Sequence, residues 1–155
     1  MDHEFSTVPL EPGIVGGDRF GLQLSDNTEI MIYILREKDG GWHPASSGTY
    51  VRSDRKTKHL SIHDIKAMNT ETWKSLNSGA VYPVRWTLRI LSPAMDLFVA
   101  ANLADQEMRT WKSTGVTYRE GSVSVHGIKK GRRVNKQGYM ELTGYAKPFE
   151  ALDEK

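Results

Sequence analysis

The sequence predicts an all-β protein built on one antiparallel sheet, closed as a barrel or folded as a sandwich. Three observations carry that expectation: apolar residues recur at every second position, turn residues punctuate the alternation at short intervals, and helical periodicity is nearly absent. The 155 residues suit one domain spanning 1–155, long enough to bury a real core.

Taken in order, Met1-Asp2-His3-Glu4-Phe5 is expected to open the first strand, because Phe5 and the residues beyond it continue with period 2. Residues 10–17, with Pro12 and three glycines, are expected to form a loop. Phe20, Leu22 and Leu24 then alternate with Arg19, Gly21 and Gln23. After Ser25-Asp26-Asn27, Ile30, Ile32 and Ile34 alternate with Glu29, Met31, Tyr33 and Leu35. Turn residues that tolerate positive φ between two alternating flanks predict a β-hairpin. Lys38-Asp39-Gly40-Gly41 is the next turn. Further strands are predicted at 47–53, 58–67, 82–91, 95–104, 117–128 and 137–146, giving about nine in all. Residues 64–73 carry a weak helical signal crowded by β-branched and turn residues, and residues 74–80 are expected to be a loop. An antiparallel sheet of this size has two edges to protect, and closure into a barrel removes them. The interior of such a barrel holds either a packed core or a small ligand; the alternation alone leaves open which face points inward.

Composition narrows the classes. With 38% hydrophobic and 26% charged residues, the chain is neither a disordered tail nor a fibrous repeat. Lys and Arg outnumber Asp and Glu by only 21 to 19, so no nucleic-acid partner is expected. The one dense basic run, Lys129-Lys130-Gly131-Arg132-Arg133, lies between strand-like segments and is expected to be a solvated hairpin tip. The absence of cysteine excludes disulfides, thiol catalysis and cysteine metal sites. No stretch is apolar enough for a membrane helix, and no signal peptide follows Met1. The expected location is therefore cytoplasmic as written, and periplasmic or secreted if a leader precedes Met1.

Chemistry has few candidates. In a strand, neighbours point to opposite faces, so His3 shares its face with Phe5 and not with Asp2 or Glu4. An inward His3 would serve as a proton donor or hydrogen-bond anchor; a frayed, solvent-exposed start is the competing reading. His59 and His63 fall on one strand face with Ser61, but nothing fixes a third ligand, so surface histidines and no metal or cofactor are expected. Gly13, Gly16 and Gly17 lack the lysine and the strand–helix setting of a phosphate loop. Tyr33, Tyr50, Trp86, Tyr118, Tyr139 and Tyr145 all lie on strand-like segments, with Glu107 and Glu141 in half-apolar stretches. Aromatics with a few convergent polar groups make a small-molecule site. Core tyrosines with backbone partners and outward glutamates are the competing reading.

Six strings occur in order along the chain: Met1-Asp2-His3-Glu4, Phe20-Gly21-Leu22-Gln23-Leu24, Ser47-Gly48-Thr49-Tyr50, Tyr82-Pro83-Val84-Arg85-Trp86, Asp105-Gln106-Glu107, and the run from Gly138 to Ala146. Together they resemble the second half of AttH-like and carotenoid 1,2-hydratase proteins, often labelled secreted hydrolases. The resemblance implies a lipocalin-like β-barrel that normally follows a first one, with apolar ligands and, in some relatives, hydratase or cyclase chemistry on polyenes. It also implies a part for the histidine matching His3 in acid-assisted hydration. The chain departs from that pattern: Phe5 stands where the family commonly has Trp, Gly17-Asp18-Arg19 replaces Trp-Asp-Trp, and no acid follows Tyr33 two residues on. The expected function is binding of an apolar or isoprenoid-like small molecule without intact hydratase chemistry. Phe5, Tyr33, Tyr50, Trp86, Tyr118 and Tyr139 are the expected lining. The alternatives are a hydratase or cyclase with His3 or Glu141 as general acid, or an interaction module that pairs with a first barrel or with a second copy of itself.

Overall fold

The structure, a computed structural model, describes residues 11–110 and 115–148. Its first two strands, β1 (Ile14–Gln23) and β2 (Glu29–Glu37), form the expected hairpin. Asn27 takes the left-handed conformation at φ 60°, and the Asp26 carboxylate accepts from the Thr28 hydroxyl at 2.6 Å, which tightens the turn. The sheet continues with β3 (Ser47–Val51), β4 (Thr57–Ser61), β5 (Ile65–Lys74), β6 (Val81–Ile90), β7 (Met95–Ala101), β8 (Glu107–Arg109), β9 (Thr117–Lys129) and β10 (Arg132–Leu142). All pairings are antiparallel, in the order β4-β3-β2-β1-β10-β9-β7-β6-β5, with β8 added on β9.

The alternation resolves into an inner and an outer face. Phe20, Leu22, Leu24, Ile30, Ile32 and Ile34 point into one apolar core with Leu60, Trp86, Leu88, Val99, Val125 and Met140. Strands from across the sheet share that core, so the sheet curls around it as a lipocalin-like barrel does. Its two edge strands, β4 and β5, do not pair, but they are consecutive in the chain. A single 3₁₀ turn (Ile62–Asp64) joins them. Asp64 accepts from the backbone and hydroxyl of Ser61 at 2.9 and 2.7 Å, and its own carbonyl accepts from Leu91 N–H. Lys58 reaches from β4 to Ser92, donating to its carbonyl at 3.1 Å and its hydroxyl at 2.7 Å. These contacts draw the two edges together where ladder bonds are missing.

Four expectations need correction. The strand predicted at 58–67 is two strands, because the capped 3₁₀ turn at Ile62–Asp64 interrupts the run and carries the chain from one edge of the sheet to the other; His59 and His63 therefore share no strand face. The weak helical stretch at 64–73 is strand β5, whose apolar partners lie on β6. Half of the loop predicted at 10–17 is the start of β1, where glycines allow close packing instead of a turn. The basic run does form the β9–β10 hairpin, with Lys130 and Gly131 at positive φ, but Lys129 is not solvated. Its ammonium is buried at the end of the core, donating to Asp26 at 2.5 Å and Thr28 at 2.7 Å, 5.0 Å from the Tyr50 ring centroid.

That burial separates two ion pairs that look alike in sequence. Lys129→Ala leaves Thr28 buried and Asp26 unpaired, and should cost about 2 kcal/mol in urea denaturation. Arg89→Ala breaks an equally short pair to Asp96 whose side chains are 62% and 58% exposed. It should change stability by less than about 0.5 kcal/mol. Equal losses would show that Lys129 does not hold that end of the barrel.

Candidate functional site

The inner face is apolar between its ends: Lys129 is buried at one, and an acid and a base at the other. Ladder pairing aligns Ile34, Asp18, Leu142 and Arg119 in one row across β2, β1, β10 and β9. Paired residues share a face, so an acid and a base point inward with a leucine between them. Asp18 is 2% exposed and Arg119 fully buried.

Asp18 is surrounded by donors. Arg36 Nε donates to Oδ1 at 3.1 Å and the Tyr145 hydroxyl donates to Oδ2 at 3.3 Å. The Arg36 guanidinium lies 3.9 Å from the Tyr145 ring centroid, a cation–π stack that fixes both side chains, and its Nη2 donates to the Thr143 carbonyl. Two glycines make this possible. A Cβ on Gly16 would occupy the place of the Arg36 guanidinium. Gly144, at φ +78°, turns the chain after β10 so that Tyr145 folds back over Asp18, and a side chain there would meet the Val15 carbonyl. Burial pushes the Asp18 carboxyl up to about 6, against the opposing pull of Arg36 and of the Tyr145 and Arg36 hydrogen bonds. A carboxyl poised there can take up or release a proton near neutral pH. Burial and the neighbouring Asp18 charge raise the Tyr145 hydroxyl, which therefore stays protonated as a donor.

Aromatic rings extend from this acid into the barrel. Tyr145 meets Tyr82 at 5.6 Å, Tyr82 stacks on Trp73 at 6.4 Å, and Phe20 meets Trp86 edge-on at 5.3 Å. Tyr82 and Trp86 both point inward from β6, and the Tyr82 hydroxyl and Trp86 indole N–H are buried without a hydrogen-bond partner. Burial and then Glu107, through its charge and as a long-range acceptor, raise the Tyr82 hydroxyl well above its ordinary range, with Ser78 and Arg119 pulling the other way. Glu107 itself is held at the rim by Ser75 and Ser78, at 3.0 and 2.5 Å. Arg119 is half satisfied: Nη2 donates to the Leu103 carbonyl at 3.0 Å, the Ala104 carbonyl at 3.4 Å and Gln106 Oε1 at 2.9 Å, while Nε and Nη1 have no acceptor. Burial lowers its pKa, partly offset by its interactions with Tyr82 and Asp105.

The residues singled out from sequence fall into two groups. Tyr50 and Trp86 are inside, Tyr50 at the Lys129 end and Trp86 beside Phe20. Tyr33, Tyr118, Tyr139 and Glu141 are on the outer face. There Tyr33, Arg19, Glu141 and Glu120 form one row across β2, β1, β10 and β9. Arg19 lies 3.8 Å from the Glu141 carboxylate and 5.8 Å from the Tyr139 ring centroid. Burial and the Glu120 and Glu141 charges raise the Tyr118 hydroxyl. Beside this row an open groove of about 420 Å³ runs past Gly21, Met31, Val51 and Tyr139. His3 and Phe5 lie outside the described residues. Among the described residues no cluster of His, Asp and Glu is placed to hold a metal ion, and no helix is long and apolar enough to cross a membrane. Asp18, Arg36, Tyr82 and Arg119 were not among the site residues expected from sequence.

The structural comparisons fit this architecture. The fold is similar to that of an AttH protein of Nitrosomonas europaea, with a TM-score of 0.79 at 27% identity over 90% of this chain and 42% of that one. It is also similar to kievitone hydratase of Nectria haematococca, with a TM-score of 0.69 at 20% identity over 86% of this chain and 40% of that one. The second likeness is one of fold. The chain thus spans about two-fifths of the length of either structure. No curated protein matches the sequence. Among protein families, the AttH-like model matches residues 1–145, which take in every strand from β1 to β10. The chain belongs to the AttH-like family.

Proposed function

We propose that the protein binds an apolar, ring-containing or isoprenoid-like small molecule inside the barrel, at the end where Asp18, Tyr82 and Trp86 face the core. The observation that carries this reading is the pair of buried, unpartnered donors on β6, Tyr82 Oη and Trp86 Nε1, set among Phe20, Trp73 and Tyr145. A purely structural core leaves few such groups unpaired, because each costs about 1–3 kcal/mol. A ligand with an apolar body and one or two acceptors supplies what they lack.

The test uses the four tryptophans as reporters. Titration with fatty acids, retinoids and carotenoids should give saturable quenching, with an upward Tm shift worth about 2.7 kcal/mol at a hundredfold excess over Kd. Trp86→Phe should remove most of the quenching. Neither quenching nor stabilisation by any compound would overturn the reading.

A second reading, hydration of a polyene double bond, is favoured by Asp18, a buried carboxyl titrating near neutrality and hydrogen-bonded to Tyr145. The fold likeness to a hydratase suits it. In this reading Asp18 protonates the alkene carbon, aromatic faces stabilise the developing cation, water adds to the cation, and the proton that the added water loses returns to the Asp18 carboxylate. Asp18→Asn should then lower turnover by at least about a hundredfold while leaving ligand quenching in place. No product from any polyene would remove this reading and leave the binding one.

A further inference from the structure

We propose that the ligand of this interior carries a carboxylate head group, seated on Arg119 and the Tyr82 hydroxyl. The inference rests on the binding reading above and adds the chemistry of the ligand's polar end. An arginine side chain offers five N–H donors. Arg119 uses those on Nη2 to hold the 103–106 segment, and its Nε and Nη1 donors meet no acceptor although the residue is fully buried. Asp105 supports its charge only from beyond ion-pair distance. The inward acid in its row, Asp18, is already paired with Arg36 at 3.1 Å. Glu107, opposite Arg119 across β8 and β9, spends its oxygens on Ser75 and Ser78. Among the described residues Arg119 has no ion-pair partner. A buried water would satisfy the N–H groups and leave the desolvated charge; an anion answers both.

The neighbours select the kind of anion. The Tyr82 hydroxyl is a buried donor that makes no hydrogen bond of normal length, with Glu107, Ser78 and Arg119 as its polar neighbours. A planar head group with two acceptor oxygens can bridge a guanidinium and a phenol. From Tyr82 the inner face of β6 continues through Val84 and Trp86 to Leu88 and Ile90, apolar apart from the indole N–H. Four residues of strand separate Tyr82 from Trp86, about 13 Å. A carboxylate at Arg119 therefore places its hydrocarbon tail along that wall. The class so defined is a fatty or terpenoid acid.

The experiment compares dodecanoate with 1-dodecanol, which differ only in the head group, by tryptophan quenching of the full chain and of three variants. Wild type should bind the acid at least about tenfold more tightly than the alcohol. R119M should bring the two within about twofold of each other with alcohol affinity unchanged, and R119K should restore part of the preference. If R119M does not fold, as judged by circular dichroism, Y82F decides: a preference reduced at least about threefold supports the assignment. Equal binding of acid and alcohol by wild type overturns the head group while leaving the apolar site. So does an undiminished preference in folded R119M, or in Y82F where R119M is not folded. Binding of neither compound overturns the apolar site and the head group together.

Discussion

Phe20→Ala is expected to destabilise the protein by about 3–5 kcal/mol, a large share of the roughly 5–15 kcal/mol that holds a domain of ordinary stability together. Phe20 is fully buried at the middle of β1, and its ring meets Trp86 edge-on at an interplanar angle of 86°. Truncation removes the transfer energy of the ring, leaves a cavity that sheet backbones cannot collapse to fill, and forfeits the aromatic contact. Phe98→Ala is the matched control. Phe98 points outward from β7, 51% exposed and stacked on His126 at 5.3 Å, so its loss should cost under about 1 kcal/mol. Urea denaturation should show the Phe20 variant with a much lower midpoint and an unchanged slope. Similar losses in the two variants would mean that the inner and outer faces are misassigned, since the two phenylalanines differ chiefly in which face they occupy.

That face assignment was the part of the fold least open to sequence reading. The β1–β2 hairpin could be found because Phe20-Leu22-Leu24 and Ile30-Ile32-Ile34 repeat with period 2 around a turn ending in Asn27. The break between β4 and β5 could not, because Leu60, Ile62 and Ile65 look like one alternating run with a slip. Only the Ser61–Asp64 capping bonds convert that slip into a step from one sheet edge to the other. Lys129 illustrates the same limit: a lysine beside a turn is normally solvated, and what buries it is Asp26 and Thr28, 103 and 101 residues away.

The candidate site was legible in one respect that the search for aromatics overlooked. Asp18 is in phase with Phe20, Leu22 and Leu24, and Arg119 is in phase with Val123 and Val125, so each is a charged residue on the apolar side of its strand. That phase is a physical signal, because a charge on a core face must be paired or used. What the sequence could not supply is the partner: Arg36 and Tyr145 lie 18 and 127 residues from Asp18 and meet it only through the β1–β2 and β1–β10 pairings. Tyr33, Tyr139 and Glu141, conversely, drew attention as polar and aromatic residues on strands. They are in the opposite phase to Asp18 and Met140, which puts them on the outer face.

Asp18 also makes stability depend on pH in an unusual direction. Burial raises its carboxyl from 3.8 to about 6, so the folded state holds the proton more tightly than the unfolded chain does. The contribution of this group is therefore greatest below about pH 4 and declines as pH rises through about 6. A shift of that size corresponds to a loss of about 3 kcal/mol across the window. The other perturbed acids act at lower pH and with opposite sign. At Asp26 burial is outweighed by hydrogen bonds from Lys129 and Thr28, and at Asp64 hydrogen bonds from Ser61 dominate, so both lose their contribution as pH falls. Among the perturbed carboxyls of the described residues, the interval between about pH 4 and about pH 6 thus belongs to Asp18. Asp18→Asn keeps an oxygen to accept from Arg36 Nε and places an amide against the Tyr145 hydroxyl, so the local packing persists without a titrating group. Between about pH 4 and about pH 7 the unfolding free energy from urea denaturation should fall in the wild type relative to the variant by up to about 3 kcal/mol, every other titrating group being common to both proteins. Parallel pH profiles for the two proteins would show that the carboxyl titrates as an ordinary exposed acid, and would remove the proton source on which hydration chemistry in this barrel depends.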